Sequence, residues 1–80
     1  MLTVTLYTKP DCSLCDLAAD YLALRQETYP HELVEVDISA EPDLNARYRF
    51  IIPVLEIGDT RLKAPITNGE IEAALRVASN

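Results

Sequence analysis

The stretch Leu2-Thr3-Val4-Thr5-Leu6-Tyr7-Thr8-Lys9-Pro10-Asp11-Cys12-Ser13-Leu14-Cys15-Asp16-Leu17-Ala18-Ala19-Asp20-Tyr21-Leu22 changes its hydrophobic period partway along. Leu2 to Tyr7 alternates apolar with hydroxyl-bearing side chains, β-branched ones prominent, as a half-buried strand does. Lys9-Pro10-Asp11 interrupts that pattern. From Cys12 onward Leu14, Leu17, Ala18, Tyr21 and Leu22 fall at i, i+3, i+4, i+7 and i+8, which predicts an amphipathic helix ending near Glu27. A strand thus hands the chain directly to a helix, with two cysteines at the junction.

Downstream, Tyr29-Pro30-His31 reads as a connection, because Pro30 disfavours helical geometry at Tyr29. Leu33 to Asp37 is expected to form a second strand with Val34 and Val36 on one face. Ser39 is placed to cap a short helix from about Ala40 to Tyr48, with Pro42 tolerated in its first turn. Pro53 to Ile57 and Thr60 to Lys63 read as a hairpin around Gly58-Asp59, a pair suited to a tight primed turn. Thr67-Asn68-Gly69-Glu70 matches the capping box and opens a last helix that buries Ile71, Ala74, Leu75 and Ala78. The order is therefore βαβαββα. The first two strands, joined through a helix, should be parallel with a right-handed crossover, and the hairpin adds antiparallel strands to the same sheet. An α/β fold follows: a four-stranded mixed sheet flanked by three helices, in one domain spanning residues 1–80.

Eighty residues suffice for a single core, and an apolar content of 49% with 25% charged residues is that of a folded globular chain. Seven Lys+Arg against thirteen Asp+Glu give a net charge of −6, which opposes nucleic acid and anionic lipid as partners. The longest apolar cluster, around Phe50, Ile51 and Ile52, is broken by Pro53 and falls far short of a membrane span. The N-terminal residues lack the pattern of an export signal, so a cytoplasmic location is expected, and with no obvious exposed apolar stripe a monomer is the default. Two cysteines are too few for the disulfide scaffold of a small secreted domain.

Cys12-Ser13-Leu14-Cys15 therefore carries the chemical interest. A spacing of three puts both sulfurs on one side of the first helical turn, within reach of a disulfide. Cys12 meets the unpaired N–H groups and positive dipole end of the helix, which favour its thiolate, while Cys15 lies one turn inside and more shielded. Lys9 acts in the same direction on Cys12; Asp11 and Asp16 oppose it. Two thiols cannot close a four-ligand zinc site alone, so a metal role would need His31, carboxylates or a second chain; redox exchange and inert packing are the other readings of the pair.

The segment from Leu6 to Cys15, together with Ile51-Ile52-Pro53-Val54, resembles the redox-site segments of glutaredoxins in the thioredoxin superfamily, and especially the small bacterial glutaredoxin-like proteins. The resemblance implies a thioredoxin-like fold and a thiol-disulfide oxidoreductase. It implies Cys12 as attacking thiolate, Cys15 as resolving thiol, Pro53 as a cis residue shaping the substrate groove, Ile52 presenting its backbone to an extended substrate, and Lys9 near the active thiol. The implied partners are a disulfide-bearing protein or a glutathione adduct, with glutathione or a reductase as electron donor and no metal or organic cofactor required. The sequence departs from that family after the hairpin, where Lys63-Ala64-Pro65-Ile66-Thr67-Asn68-Gly69-Glu70 lacks the paired glycines preceding the acidic residue that receives glutathione's amino group. A redox-inert binding module or an iron–sulfur cluster carrier is the alternative.

Other residues have plainer readings. His31 beside Pro30 is expected to be a solvated turn residue without a role. Tyr7 either helps form the substrate surface or packs beside the helix, and Tyr21, Tyr29, Tyr48 and Phe50 are read as core or edge residues. Arg47 and Arg49 fit a solvated helix end better than a steering site. The capping box already accounts for Glu70.

Overall fold

The computed structural model describes residues 1–80 and resolves seven principal elements: β1 (Leu2–Thr8), α1 (Ser13–Leu24), β2 (His31–Asp37), α2 (Pro42–Tyr48), β3 (Val54–Ile57), β4 (Thr60–Lys63) and α3 (Asn68–Ala78). A single 3₁₀ turn, Ile38–Ala40, precedes α2. The strands form one sheet in the order β2-β1-β3-β4, with β2 parallel to β1 and the hairpin antiparallel beside it. This is the four-stranded mixed sheet with three helices anticipated from the element order. No helix is long and apolar enough to cross a membrane.

The alternation in β1 decides how the layers stack. Val4 and Leu6 point to one face with Leu55 and Ile57, where they pack with Ala18 and Leu22 of α1 and with Ile71, Ala74 and Leu75 of α3. Tyr7 and Val54 point to the other face and meet Ile38, Leu44 and Tyr48 from the region of α2. Two helices thus cover one face and one shorter helix covers the other, with the N-terminus of α1 and the start of β3 both at the end of the sheet where β1 finishes.

Local details depart from the sequence reading for identifiable reasons. α1 stops at Leu24 rather than near Glu27 because the N–H groups of Arg25 and Gln26 turn to the carbonyls three residues back, at 3.1 and 3.4 Å. The Arg25 side chain is meanwhile held by Glu72 of α3, Nη2 donating to Oε1 at 2.9 Å. β2 begins two residues earlier than expected, at His31, whose partner in register is Leu2. His31 is 4% exposed and not a solvated turn residue. Its Nδ1 lies 2.7 Å from the Tyr29 carbonyl, which can only accept, so Nδ1 carries a proton there. Ser39 is not the helix cap: the Asp37 carboxylate takes both the N–H and the hydroxyl of Ser39, at 2.9 and 2.6 Å, and Glu41 precedes Pro42 without a side-chain cap.

The capping box forms as read, Thr67 Oγ1 accepting from the Glu70 N–H at 3.1 Å and Glu70 Oε1 from the Thr67 N–H at 2.9 Å. Gly58 has φ 58°, the left-handed backbone that a tight hairpin needs and that glycine adopts without steric cost. A β-carbon there would also come to 3.1 Å from that of Ala78, so the turn and the end of α3 pack closely.

Candidate active site

The cysteine pair sits where β1 has to be turned into α1 within a few residues. Lys9 and Pro10 leave the strand, and Asp11 takes φ 62°, a left-handed conformation that aspartate tolerates better than most side chains. That turn delivers Cys12 to the N-cap of α1 with extended backbone, φ −104° and ψ 98°. Its Sγ accepts the backbone N–H of Cys15 at 3.2 Å, and its carbonyl accepts that of Asp16 at 3.1 Å. The Cys12 sulfur therefore occupies the place of a capping oxygen, where an orphan N–H and the helix dipole would both favour negative charge on its reduced form.

Cys15 is 1% exposed and Cys12 is partly exposed, with Cα atoms 5.3 Å apart, and the two are joined as a disulfide. Separation in that range lets the bond form and break without moving the backbone. The asymmetry in access is what a two-step exchange needs: one sulfur that an incoming disulfide can reach, and one that only the first sulfur's adduct can meet.

Lys9 is exposed and lines a polar depression with Thr8, Cys15, Asp16, Glu35 and Asp37, so cationic and anionic groups share the approach to the buried sulfur. Pro53 is buried and lines a second hollow together with Leu14, one of the two residues between the cysteines in sequence. The Ile52–Pro53 peptide bond is cis, as is Ala64–Pro65. The Ile52 N–H is already donated to the Tyr48 carbonyl at 3.1 Å, so its carbonyl is the group open to an added strand. The Ile51 carbonyl accepts from the Ala64 N–H at 3.1 Å, which ties the segment after β4 to the Pro53 loop.

Tyr7 stands on the opposite face from the cysteines' helix, its ring centroid 4.7 Å from that of Tyr48 and its hydroxyl donating to Glu56 at 3.1 Å. Burial, and secondarily that bond to a carboxylate, pushes the phenol above the ordinary tyrosine value. Of its two readings, packing is the one these contacts describe. Arg47 and Arg49 are exposed, with guanidinium carbons 5.8 Å from the Tyr48 ring centroid and 4.6 Å from that of Phe50. Phe50 is neither core nor edge: it is 85% exposed, in the turn before Ile51. No group of three or more His, Cys, Asp or Glu side chains is gathered as a metal site.

The sequence reading missed Leu14 and Leu17 as surface residues. The buried stripe of α1 is Cys15, Ala18 and Leu22, while Leu14 and Leu17 are 57% and 63% exposed. Counting Cys15 as an apolar residue reveals the correct stripe, since Cys15, Ala18 and Leu22 also obey helical spacing.

Comparison with known proteins agrees with this architecture. The family model described as Glutaredoxin-like domain (DUF836) matches residues 3–76. No curated protein matches the sequence. Among solved structures, protein XcR50 from X. campestris is 29% identical, covering 92% of this chain and 96% of its own with a TM-score of 0.78. Protein Ne2328 from Nitrosomonas europaea is 24% identical, covering 90% and 88% with a TM-score of 0.74. Thioredoxin O2 from Arabidopsis thaliana, in its oxidized state, is 16% identical and covers 100% of this chain and 76% of its own with a TM-score of 0.79, a likeness of fold. The fold is thioredoxin-like.

Proposed function

The chain belongs to the glutaredoxin-like domain family, and from that premise we propose that it is a thiol-disulfide oxidoreductase that reduces protein disulfides or glutathione mixed disulfides. The observation that carries this reading is the pairing of a partly exposed Cys12 at a helix N-cap with a fully shielded Cys15 at bonding distance. The Cys12 thiolate attacks one sulfur of a substrate disulfide; that S–S bond breaks, and the departing sulfur takes up a proton. Cys15 then loses its proton and attacks Cys12, closing the internal disulfide and releasing the second substrate thiol. Two electrons pass from the dithiol to the substrate, and an external thiol donor, glutathione or the dithiol of a reductase, returns them.

Within this cycle Lys9 attracts an anionic substrate and favours the Cys12 thiolate, Pro53 shapes the groove, and the free carbonyl of Ile52 receives an N–H of an extended substrate. A cytoplasmic location suits the cycle, since a dithiol there is kept reduced. Cys12→Ser is expected to abolish turnover of any disulfide, and Cys15→Ser to accumulate a covalent adduct at Cys12, both read by coupled reductase assay and intact mass. Full activity of Cys12→Ser would remove the assignment. A redox-inert module would instead retain its partner after Cys12→Ser and reduce nothing.

A further inference from the structure

Next to the cysteines lies a hollow of about 170 Å³ lined by Leu14, Leu17, Pro53, Pro65, Ile66 and Ile71 among others. Asn68 is its one polar side chain, and no charged residue lines it. Leu14 and Leu17 stand on its rim more than half exposed, although the same helix has a buried stripe in which leucines would be covered. The far wall comes from the segment after β4, where Ala64-Pro65-Ile66 brings the chain back against α1 at the start of α3.

We propose that this hollow is a subsite for one aliphatic side chain of a peptide substrate, so that the preferred substrate is a protein or peptide disulfide with a leucine-like residue beside its cysteine. This rests on the oxidoreductase reading above and names the substrate class of the same site. Three observations support it. The hollow adjoins the redox site, because Leu14, which lies between the two cysteines in sequence, and Pro53 form part of its wall. Its volume suits a single aliphatic side chain. Its lining repels ionic groups: a carboxylate or ammonium of glutathione placed here would lose water and find no charged partner, whereas an isobutyl group would gain by leaving water.

A second copy of this chain is a poorer occupant. Stable interfaces bury roughly 1,200–2,000 Å² in total, and one hollow rimmed by two leucines supplies a small part of that. The net charge of −6 further opposes self-association.

The test compares three peptide disulfides that differ only in the residue beside cysteine, Leu, Ala or Asp, with glutathione mixed disulfide and hydroxyethyl disulfide as further substrates. For the wild-type chain, kcat/KM should favour Leu over Ala by about tenfold, with Asp below both. Leu17→Asp, and separately Leu17→Ser, should bring the Leu-to-Ala ratio close to one. Equal rates for the three peptides, or preference for the glutathione adduct over all of them, with hydroxyethyl disulfide still reduced, would overturn the subsite and leave the redox reading intact. Failure to reduce any of these disulfides would overturn both. Gel filtration over a range of concentrations completes the test: a dimer dissociated by Leu17→Asp would assign the hollow to a second copy and overturn the proposal.

Discussion

Asp11 occupies a left-handed backbone position, φ 62°, and brings a negative charge one residue before the partly exposed Cys12, whose thiolate the helix N-terminus favours. Asparagine tolerates the same backbone, so Asp11→Asn removes the charge and leaves the turn in place. The Cys12 thiolate should then be more populated, and alkylation of the reduced chain at mildly acidic pH should accelerate about two- to threefold. An unchanged or slower rate would show that Asp11 does not act on Cys12 through its charge. The two cysteines and this turn were legible in the sequence because Pro10, Asp11 and the change of period mark the junction. His31 and Phe50 were not: burial of His31 depends on the register of β2 with β1, and exposure of Phe50 on how the Pro53 loop departs from α2. Neither property is written in neighbouring residues.

At the scale of the elements, α1 shows why helical spacing alone left its orientation open. Two apolar rows compete on it, and packing against β1, β3 and α3 buries the one with Cys15, Ala18 and Leu22. Leu22→Ala should therefore cost about 2–5 kcal/mol, and Leu14→Ala no more than about 0.5 kcal/mol, as read from urea unfolding. A larger cost for Leu14→Ala than for Leu22→Ala would place the helix the other way round. The hairpin adds a pH dependence through Tyr7, whose hydroxyl bridges from β1 to Glu56 on β3, while Arg61 on β4 holds the same carboxylate at 2.6 Å. Burial and that bond raise the phenol, so the folded chain keeps its proton where the unfolded chain has lost it. That contribution is complete below the ordinary tyrosine value of 10.0 and is lost as pH rises through the higher folded value. Unfolding free energy should fall more steeply at alkaline pH for the wild-type chain than for Tyr7→Phe, and parallel curves would exclude the effect. At neutral pH the same substitution should cost about 1 kcal/mol for the lost hydrogen bond.

For the molecule as a whole, the order of elements and the mixed sheet were legible because periods of two and 3.6 alternate along the chain, and a strand pair joined through a helix has little choice but to run parallel. Less legible were the wall formed after β4 and the hollow between it and α1, which arise only when residues some fifty positions apart in sequence, such as Leu14 and Ile66, are packed together. What this architecture achieves is the delivery of one accessible and one shielded sulfur to the end of a sheet, with a groove beside them. The reversible interchange of dithiol and disulfide is most directly tested by equilibrating the chain in graded glutathione redox buffers, quenching with acid and measuring intact mass. A dithiol and a species two hydrogens lighter should interconvert along a two-electron curve, about 30 mV per tenfold change in ratio, reached identically from the reduced and the oxidised side. A pair that remained wholly reduced or wholly oxidised across the series, or that yielded only a stable glutathione adduct, would contradict it.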